Sequence, residues 1–216
     1  MKTFDNIEQG SNAWFQKKKT ILSGTFLKQI MGTPKAREDA KYELIANRLE
    51  IGVDEENENP MARGVRLEPD ARTMFELEIG KKVKQTGLCV NDDNEQLGYS
   101  PDGLLIDSND TEDVEIKCPG GKNYVKMWLK NTIPEEYVWQ IIQAFVVNPK
   151  LEKRYFVGYR PEIDIHPMHI IEVFRKDIPK LVLSVQKTSL DVSDIKAIEE
   201  AFLQEVDATL STIIKL

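Results

Sequence analysis

The stretch "SPDGLLIDSNDTEDVEIKC", from Ser100 to Cys118, decides the fold of this 216-residue chain. GLLID, at 103–107, and DVEIKC, at 113–118, are apolar runs that predict two strands. The polar segment SNDTE between them, at 108–112, is typical of a turn. The stretch therefore predicts a β-hairpin.

The hairpin geometry places the charged side chains of Asp102, Glu115 and Lys117 close together. Successive side chains of a strand alternate between its faces, so Glu115 and Lys117 project from one face and Ile116 turns to the core. Asp102 stands at the start of the preceding strand, where the hairpin brings it beside Glu115. Two carboxylates that converge repel each other, and both stay ionised only with a cation between them.

Such oxygen ligands suit Mg²⁺ or Mn²⁺, which usually keep several waters and bind substrate phosphates. A lysine beside such a metal can orient a water, help to deprotonate it and stabilise charge on a phosphate. Asp102, Glu115 and Lys117 thus carry the groups that metal-assisted phosphodiester hydrolysis needs. An ordinary hairpin with a surface Glu-Lys pair would show the same triplet, so the pattern alone leaves both interpretations open.

The composition is that of an ordinary globular protein, with 41% hydrophobic and 30% charged residues. No apolar run approaches the roughly 20 residues of a membrane span. The N-terminus, MKTFDNIEQG, has no apolar core of a signal peptide. With only two cysteines, Cys89 and Cys118, a disulfide framework is not indicated. We therefore expect a cytoplasmic protein without a membrane segment, in the host cytoplasm if a phage encodes it.

Charge is spread unevenly along the chain. The net charge of −7 argues against indiscriminate binding of nucleic acid. Lysines nevertheless cluster at 17–19 and recur after the hairpin at Lys122, Lys126 and Lys130, whereas acid concentrates at 54–58. A globally acidic protein can still present one basic groove.

Periodicity and helix start and stop signals predict helices elsewhere in the chain. The predicted helices are Ala13–Ile30, broken at 23–25, then Ala36–Glu50, Arg63–Ile79, Asn131–Val147 and Asp191–Leu216, with a polar loop, DEENENP, at 54–60. Further predicted strands are VKQTGLCV at 83–90, EQLGYS at 95–100, KRYFVGYR at 153–160 and HIIEVF at 169–174. These elements predict an α/β (α+β) fold in which helices pack on a mixed central sheet.

Five ordered motifs give the chain a resemblance to a known family. They are EQGSNAWFQKKKTILSGT at 8–25, ARGVRLEPDARTMFE at 62–76, SPDG at 100–103, EIKCP at 115–119 and YVWQIIQ at 137–143. From about Ile7 to Val147 the chain resembles the phage lambda exonuclease, or YqaJ-type viral recombinase, family of the PD-(D/E)XK nuclease superfamily. The resemblance implies one nuclease domain over residues 1–216, with a restriction-endonuclease-like mixed central sheet flanked by helices.

The resemblance also implies roles for the hairpin residues. Asp102 and Glu115 match the carboxylate metal ligands, and the backbone carbonyl of Ile116 matches a third protein ligand. Lys117 matches the catalytic lysine. Mg²⁺ is the implied metal and Mn²⁺ its implied substitute, and whether the site holds one ion or two stays open.

Two further residues match the active site of the family. Glu68 matches an additional acidic residue on a helix, where it could reach a metal-bound water. Gln140 matches a glutamine on the helix after the catalytic strand. A glutamine can hold a water or a phosphate oxygen without adding charge.

The N-terminal motif resembles the segment that receives the 5′-phosphate of a DNA end. The matching positions are Lys18, Thr25 and Ser100. The family commonly has an arginine where Lys18 stands, and a lysine contacts phosphate as a point charge without the bidentate fork. Lys17 or Lys19 could serve instead of Lys18, and the sequence leaves that choice open.

The activity implied by the resemblance is that of an exodeoxyribonuclease. It digests one strand of linear double-stranded DNA from 5′ to 3′ and leaves a 3′ single-stranded overhang for recombination. The family forms homotrimeric rings that enclose DNA, and its usual partner is a single-strand annealing protein. Two alternatives stay open: a structure-specific or nicking endonuclease of the same superfamily, and a DNA-end-binding module without catalysis.

Overall fold

The computed structural model describes residues 1–49 and 61–213. The predicted polar loop at 54–60 lies outside the described residues, as do the last three residues of the predicted C-terminal helix. The helices are α1 Asn12–Lys19, α2 Gly24–Ile30, α3 Pro34–Leu49, α4 Met61–Ile79, α5 Gly121–Lys130, α6 Glu135–Val147, α7 Ile178–Val185 and α8 Val192–Ile213. The strands are β1 Lys2–Thr3, β2 Val83–Lys84, β3 Cys89–Val90, β4 Gly98–Tyr99, β5 Gly103–Leu105, β6 Glu112–Lys117, β7 Lys153–Tyr159 and β8 Met168–Phe174.

A five-stranded mixed sheet in the order β2-β5-β6-β7-β8 forms the centre of the fold. β5 and β6 pair antiparallel, with Gly103 opposite Val114, which is the predicted hairpin. β6 and β7 pair in parallel, and the chain crosses between them through α5 and α6. The predicted α/β class, with a mixed central sheet flanked by helices, is confirmed.

Each face of the central sheet is covered by helices. Val114 and Ile116 of β6 pack with Phe75 of α4 in one apolar cluster. On the opposite face, the larger cluster joins α2, α3, α6 and α8. Because side chains alternate along β6, Asp113, Glu115 and Lys117 lie on this second face, beneath α6.

A second, three-stranded sheet has the order β1-β3-β4. Its presence corrects one prediction, because VKQTGLCV is not a single strand. Val83–Lys84 belongs to the central sheet, whereas Cys89–Val90 pairs with β1 and β4. Leu22, just before α2, forms a parallel bridge to Leu97 and so attaches the N-terminal segment to this smaller sheet.

The helices differ from the predictions at several places. α5 and α7 have no counterpart among the predicted helices. The predicted helix from Asn131 begins only at Glu135. Asn131 instead ends α5 in the left-handed conformation, with φ of 49°, and Pro134 precedes α6. The predicted break between two helices is present, but it lies at 20–23 and not at 23–25, because Gly24 and Thr25 already belong to α2.

α2 and α6 cross in close contact at one glycine. A Cβ built on Gly24 would lie 2.7 Å from the Cα of Gln140. Only a residue without a side chain permits this approach. None of the helices described in residues 1–49 and 61–213 has the length and apolar character that a membrane span needs.

Candidate active site

The Asp102 carboxylate is fixed against β6. Its backbone N–H donates to the Val114 carbonyl at 3.1 Å, and its Oδ2 accepts a hydrogen bond from the Ile116 N–H at 2.6 Å. The side chain is buried, with 8% exposed. The hairpin thus brings Asp102 beside Glu115, and Ile116 turns to the opposite face.

Glu115 is held between two cations. Lys117 Nζ lies 2.5 Å from Glu115 Oε1, and the Arg154 guanidinium pairs with Glu115 Oε2. Lys117 is half-buried and lies 5.4 Å from the centre of the Tyr137 ring of α6. Each oxygen of this buried carboxylate therefore has its own partner.

Arg154 was missed by the sequence reasoning. It lies on β7 directly opposite Asp113 of β6 and is 1% exposed. One guanidinium nitrogen donates to Asp113 Oδ2 at 2.8 Å and another to Glu115 Oε2. The guanidinium also lies 5.3 Å from the centre of the Tyr99 ring. The signal in the sequence was an arginine directly before the run YFVGY, in the interior of the predicted strand KRYFVGYR.

The charges of the site shift one another's pKa values. Burial and the nearby Glu115 raise the pKa of Asp102 to about 7. Burial acts in the same direction on Glu115, but Lys117 and Arg154 leave the pKa of Glu115 below its ordinary value. Burial would lower the pKa of Lys117, yet Glu115 and Asp102 raise it above its ordinary value. Lys117 is thus a charged donor, and Asp102 carries the less compensated of the two negative charges.

Glu68 approaches the same site from α4. It is half-buried, and burial raises the pKa of its carboxyl, as does Glu115. Arg72, one helical turn later, pairs with Glu68 and donates from Nε to the Asp102 carbonyl at 3.2 Å. Arg72 therefore joins the acidic residue of α4 to the backbone of Asp102. Sequence reasoning missed this arginine as well.

Lys18 of α1 also points to the site. Burial lowers the pKa of Lys18, and the charges of Glu115, Lys117 and Asp102 act on it as well. Its ammonium lies 4.1 Å from the centre of the Trp14 ring. Lys17 instead lies over the Phe4 ring, at 5.0 Å. The carboxylates of the site thus lie near enough to act on the charge of Lys18, and the choice between Lys18 and Lys19 stays open.

Ser100 anchors α1. Trp14 Nε1 donates to the Gly87 carbonyl at 2.7 Å and to Ser100 Oγ at 3.1 Å. The Ser100 hydroxyl itself donates to the Gly87 carbonyl. Its proton is therefore engaged within the protein, and only a lone pair remains for other contacts. Thr25, in the first turn of α2, is exposed.

Gln140 lies on α6 at the crossing with α2. The residue is half-buried, and its Oε1 has no hydrogen-bond partner among the residues that the structure describes. A buried acceptor without a partner costs free energy, so such groups usually meet water or a ligand. An unpaired acceptor therefore lies at the crossing of α2 and α6.

The donor set fits a hard divalent cation. Asp102 and Glu115 offer carboxylate oxygens, which Mg²⁺ and Mn²⁺ prefer. Within the described ranges, no three His, Cys, Asp or Glu side chains cluster closely enough to hold a metal by themselves. A cation here would take its other ligands from the Ile116 carbonyl, from water and from a substrate phosphate, as is usual for Mg²⁺.

Comparisons with known proteins show the family and the fold. A comparison with protein-family models matches residues 13–149 to the YqaJ-like viral recombinase domain. An alkaline exonuclease (LHK-Exo) from Laribacter hongkongensis has a similar structure, with a TM-score of 0.78 and 25% identity over 95% of this chain and 97% of that one. A search among curated proteins finds no match.

Two further solved structures share the fold. LHK-Exo in complex with dAMP gives a TM-score of 0.74 at 24% identity, over 95% of this chain and 99% of that one. A phage-related exonuclease from Haemophilus somnus gives 0.50 at 13% identity, over 86% and 96%. The matched family segment spans more than half of the chain and includes Lys18, Asp102, Glu115, Lys117 and Gln140. The chain therefore belongs to the YqaJ-like viral recombinase family.

Proposed function

We propose that this chain is a Mg²⁺-dependent exodeoxyribonuclease that degrades one strand of linear double-stranded DNA from 5′ to 3′. The observation that carries the proposal is the meeting of Asp102, Glu115 and Lys117 at one buried site, with Lys18 near enough for the same carboxylates to act on its charge. The family and the alkaline exonuclease of similar structure support hydrolysis of DNA. The product is a 3′ single-stranded overhang for recombination.

Each residue has a distinct part in the proposed reaction. Asp102, Glu115 and the Ile116 carbonyl would hold Mg²⁺, with Mn²⁺ as a substitute. The bound ion would make a water more acidic and offset charge on the scissile phosphate. Lys117 carries a proton and donates to the attacking water or to a phosphate oxygen as negative charge develops.

Glu68 and Gln140 complete the surroundings of the phosphate. Glu68 would orient a water on such an ion from the α4 side, where Arg72 fixes its carboxylate. Gln140 offers an unpaired amide oxygen from the α6 side, and so holds water or a hydroxyl without adding charge. The two residues come from helices that pack on opposite faces of the central sheet.

The 5′-phosphate of the DNA end would bind near Lys18. A terminal phosphomonoester carries about 1.5 to 2 negative charges, against one for an internal diester. The half-buried ammonium of Lys18 prefers the larger charge, with the exposed Thr25 hydroxyl as a further donor. Ser100 would donate to the phosphate only if its hydroxyl left the Gly87 carbonyl. Each cut leaves a new 5′-phosphate, so the product is again a substrate.

The proposed assembly is a homotrimeric ring around DNA, with a single-strand annealing protein as the partner. A net charge of −7 fits such a ring when acid covers the outside and lysines line the channel. A closed ring gives processivity because the enclosed DNA is held close even when each local contact is weak. The proposed site of action is the cytoplasm.

A time course on one linear duplex tests the proposal. The duplex carries a label at its 5′ or its 3′ ends and is incubated with and without Mg²⁺. Progressive loss of nucleotides from the 5′ ends, only with Mg²⁺, is the expected result. Internal cuts would instead identify a structure-specific or nicking endonuclease, and binding without cleavage a DNA-end-binding module.

A further inference from the structure

Arg154 occupies an unusual place for an arginine. It lies in the middle of the five-stranded sheet, on the strand next to the one that carries Glu115, and it is 1% exposed. A buried guanidinium is expensive unless it is paired, and it cannot shed its charge by losing a proton. Two carboxylates of β6, Asp113 and Glu115, pair with it from one face of the sheet.

The two carboxylates divide the guanidinium between them. One terminal nitrogen donates to Asp113 Oδ2 at 2.8 Å, and the other pairs with Glu115 Oε2. Asp113 is fully buried beside Arg154 and has no exposed surface. Asp113 is therefore the fixed counterion of Arg154. The other hydrogen bond of the guanidinium connects Arg154 to Glu115 in the candidate active site.

The bond to Glu115 decides which oxygen faces the site. Arg154 pairs with Oε2 of Glu115, so the oxygen available to a cation is Oε1. In this structure Oε1 forms an ion pair with Lys117. Rotation of the Glu115 carboxylate would break the bond to the guanidinium. The rigid fork of an arginine therefore fixes this carboxylate in one orientation.

We propose that Arg154 is a positioning residue for the metal-binding carboxylate: it clamps Glu115 Oε2, with Asp113 as its counterion, so that Oε1 is presented to the divalent cation. This inference rests on the proposed function, because it presumes that Glu115 binds a metal. It adds Arg154, which lies outside the hairpin motif, and pairs it with Asp113 behind the ligand Glu115. Partners of this kind typically contribute about 10- to 100-fold to metal affinity.

Simple electrostatics predicts the opposite result from positioning. Removal of a positive charge next to a ligand should strengthen cation binding, since the cation is then repelled less. Removal of an orienting partner should weaken cation binding, because Glu115 becomes free to turn away. The sign of the change in affinity therefore separates the two effects in Arg154→Met. A variant that removes the Asp113 and Arg154 charges together leaves the net charge unchanged, so a loss of affinity there reports positioning.

The experiment titrates Mn²⁺ calorimetrically into the protein without DNA, at about pH 8, where carboxylates are mostly ionised. Thermal unfolding is measured on the same samples. Arg154→Met strands the buried Asp113 charge and is expected to lower the unfolding temperature. The double variant Asp113→Asn with Arg154→Met removes that stranded charge, so its unfolding temperature should recover toward the wild-type value.

The double variant decides the question. We expect it to bind Mn²⁺ about 10- to 100-fold more weakly than the wild type despite its restored stability. Arg154→Lys keeps the charge without the fork and should recover only part of the affinity. Arg175→Met is the matched control, because Arg175 holds the backbone carbonyls of Leu151 and Asn148 and should change stability without changing Mn²⁺ affinity.

Unchanged or tighter Mn²⁺ binding by the double variant would overturn the positioning role and leave the metal site standing. A wild-type protein that binds no Mn²⁺ would overturn the metal site of the proposed function and the positioning role with it. The two failures are thus separated by the wild-type titration alone.

Discussion

Gly24 of α2 packs against Gln140 of α6 so closely that a Cβ on the glycine would lie 2.7 Å from the Gln140 Cα. The contact joins the segment that follows Lys18 to the helix that carries the unpaired amide of Gln140. The spacing between these two parts of the site therefore depends on one missing side chain.

The first prediction concerns this contact. Gly24→Ala should destabilise the protein by about 1–3 kcal/mol, because the new methyl group forces α2 away from α6. Gly64→Ala is the control, since a Cβ there meets nothing within 4 Å and alanine favours a helix. Urea unfolding measures both variants. Equal stability of Gly24→Ala and Gly64→Ala would contradict the close packing.

The second prediction concerns Asp102. Its pKa of about 7 lies above its ordinary value of 3.8, so the folded state prefers the protonated carboxyl. The stability from this preference is full below about pH 4 and is lost as the pH rises through about 7. Asp102→Asn cannot ionise and should be more stable than the wild type at about pH 8, by on the order of 1–3 kcal/mol. Urea unfolding at about pH 4 and about pH 8 measures the difference.

Mg²⁺ provides the control for this variant. Added Mg²⁺ should stabilise the wild type by mass action and leave Asp102→Asn unchanged, because one anionic ligand is gone. An Asp102→Asn protein that Mg²⁺ stabilises as strongly as the wild type would place the cation elsewhere.

The third prediction concerns Lys117. Lys117→Ala should bind duplex DNA nearly as well as the wild type but cut it at least about 100-fold more slowly, because its donor acts on charge that develops in the transition state. Filter binding in Ca²⁺ and single-turnover cleavage in Mg²⁺ separate the two steps. A variant that cleaves at the wild-type rate would remove Lys117 from the reaction.

The fourth prediction concerns the DNA end. The wild type should degrade a 5′-phosphorylated duplex faster than a 5′-hydroxyl duplex, since the phosphomonoester carries more charge. Lys18→Ala should reduce this preference, whereas Lys17→Ala should retain it because Lys17 faces Phe4. Equal wild-type rates on the two ends would contradict the phosphate site without touching the metal site.

The fifth prediction concerns a residue far from the chemistry. Glu199 of α8 is fully buried, and burial raises its pKa well above the ordinary value. Its contribution to stability is therefore full at low pH and is lost as the pH rises through its ordinary value of 4.5 and beyond. Glu199→Met should gain on the order of 1–3 kcal/mol over the wild type at about pH 8 and less at about pH 4.

Glu200 supplies the control for this substitution. It is partly exposed on the same helix, with an ion pair to Lys196 at 3.8 Å. Glu200→Met should change stability by less than about 0.5 kcal/mol at either pH. A Glu199→Met protein that shows the same small change would contradict the burial of an ionisable carboxyl.

The sequence predicted the hairpin because both of its strands and its turn are local. The 103–107 and 113–118 runs alternate in a way that fixes which side chains share a face, and the structure places Asp102 beside Glu115 accordingly. The α4 helix was also predicted to within two residues, because a regular apolar stripe and Gly80 mark its course and its end. Local patterns were sufficient for these elements.

The partners of Glu115 could not be predicted in the same way. Arg154 is 39 residues away, and it reaches Glu115 only because β7 pairs in parallel with β6 after the α5–α6 crossover. No local pattern specifies the register of that pairing. The prediction of one strand over VKQTGLCV was wrong for a related reason. Its two ends pair with different sheets, and the segment itself does not show where one sheet ends and the other begins.

Trp14 fixes the position of α1 relative to the candidate active site. Its indole N–H binds Gly87 and Ser100, two residues before Asp102, and its ring lies under the Lys18 ammonium. These bonds keep α1 from sliding along the hairpin, so the interval between Lys18 and the carboxylates is a constant of the fold. Under the proposed function, this interval sets the distance between the bound 5′-phosphate and the phosphodiester bond that is cut, and it does so independently of the base sequence.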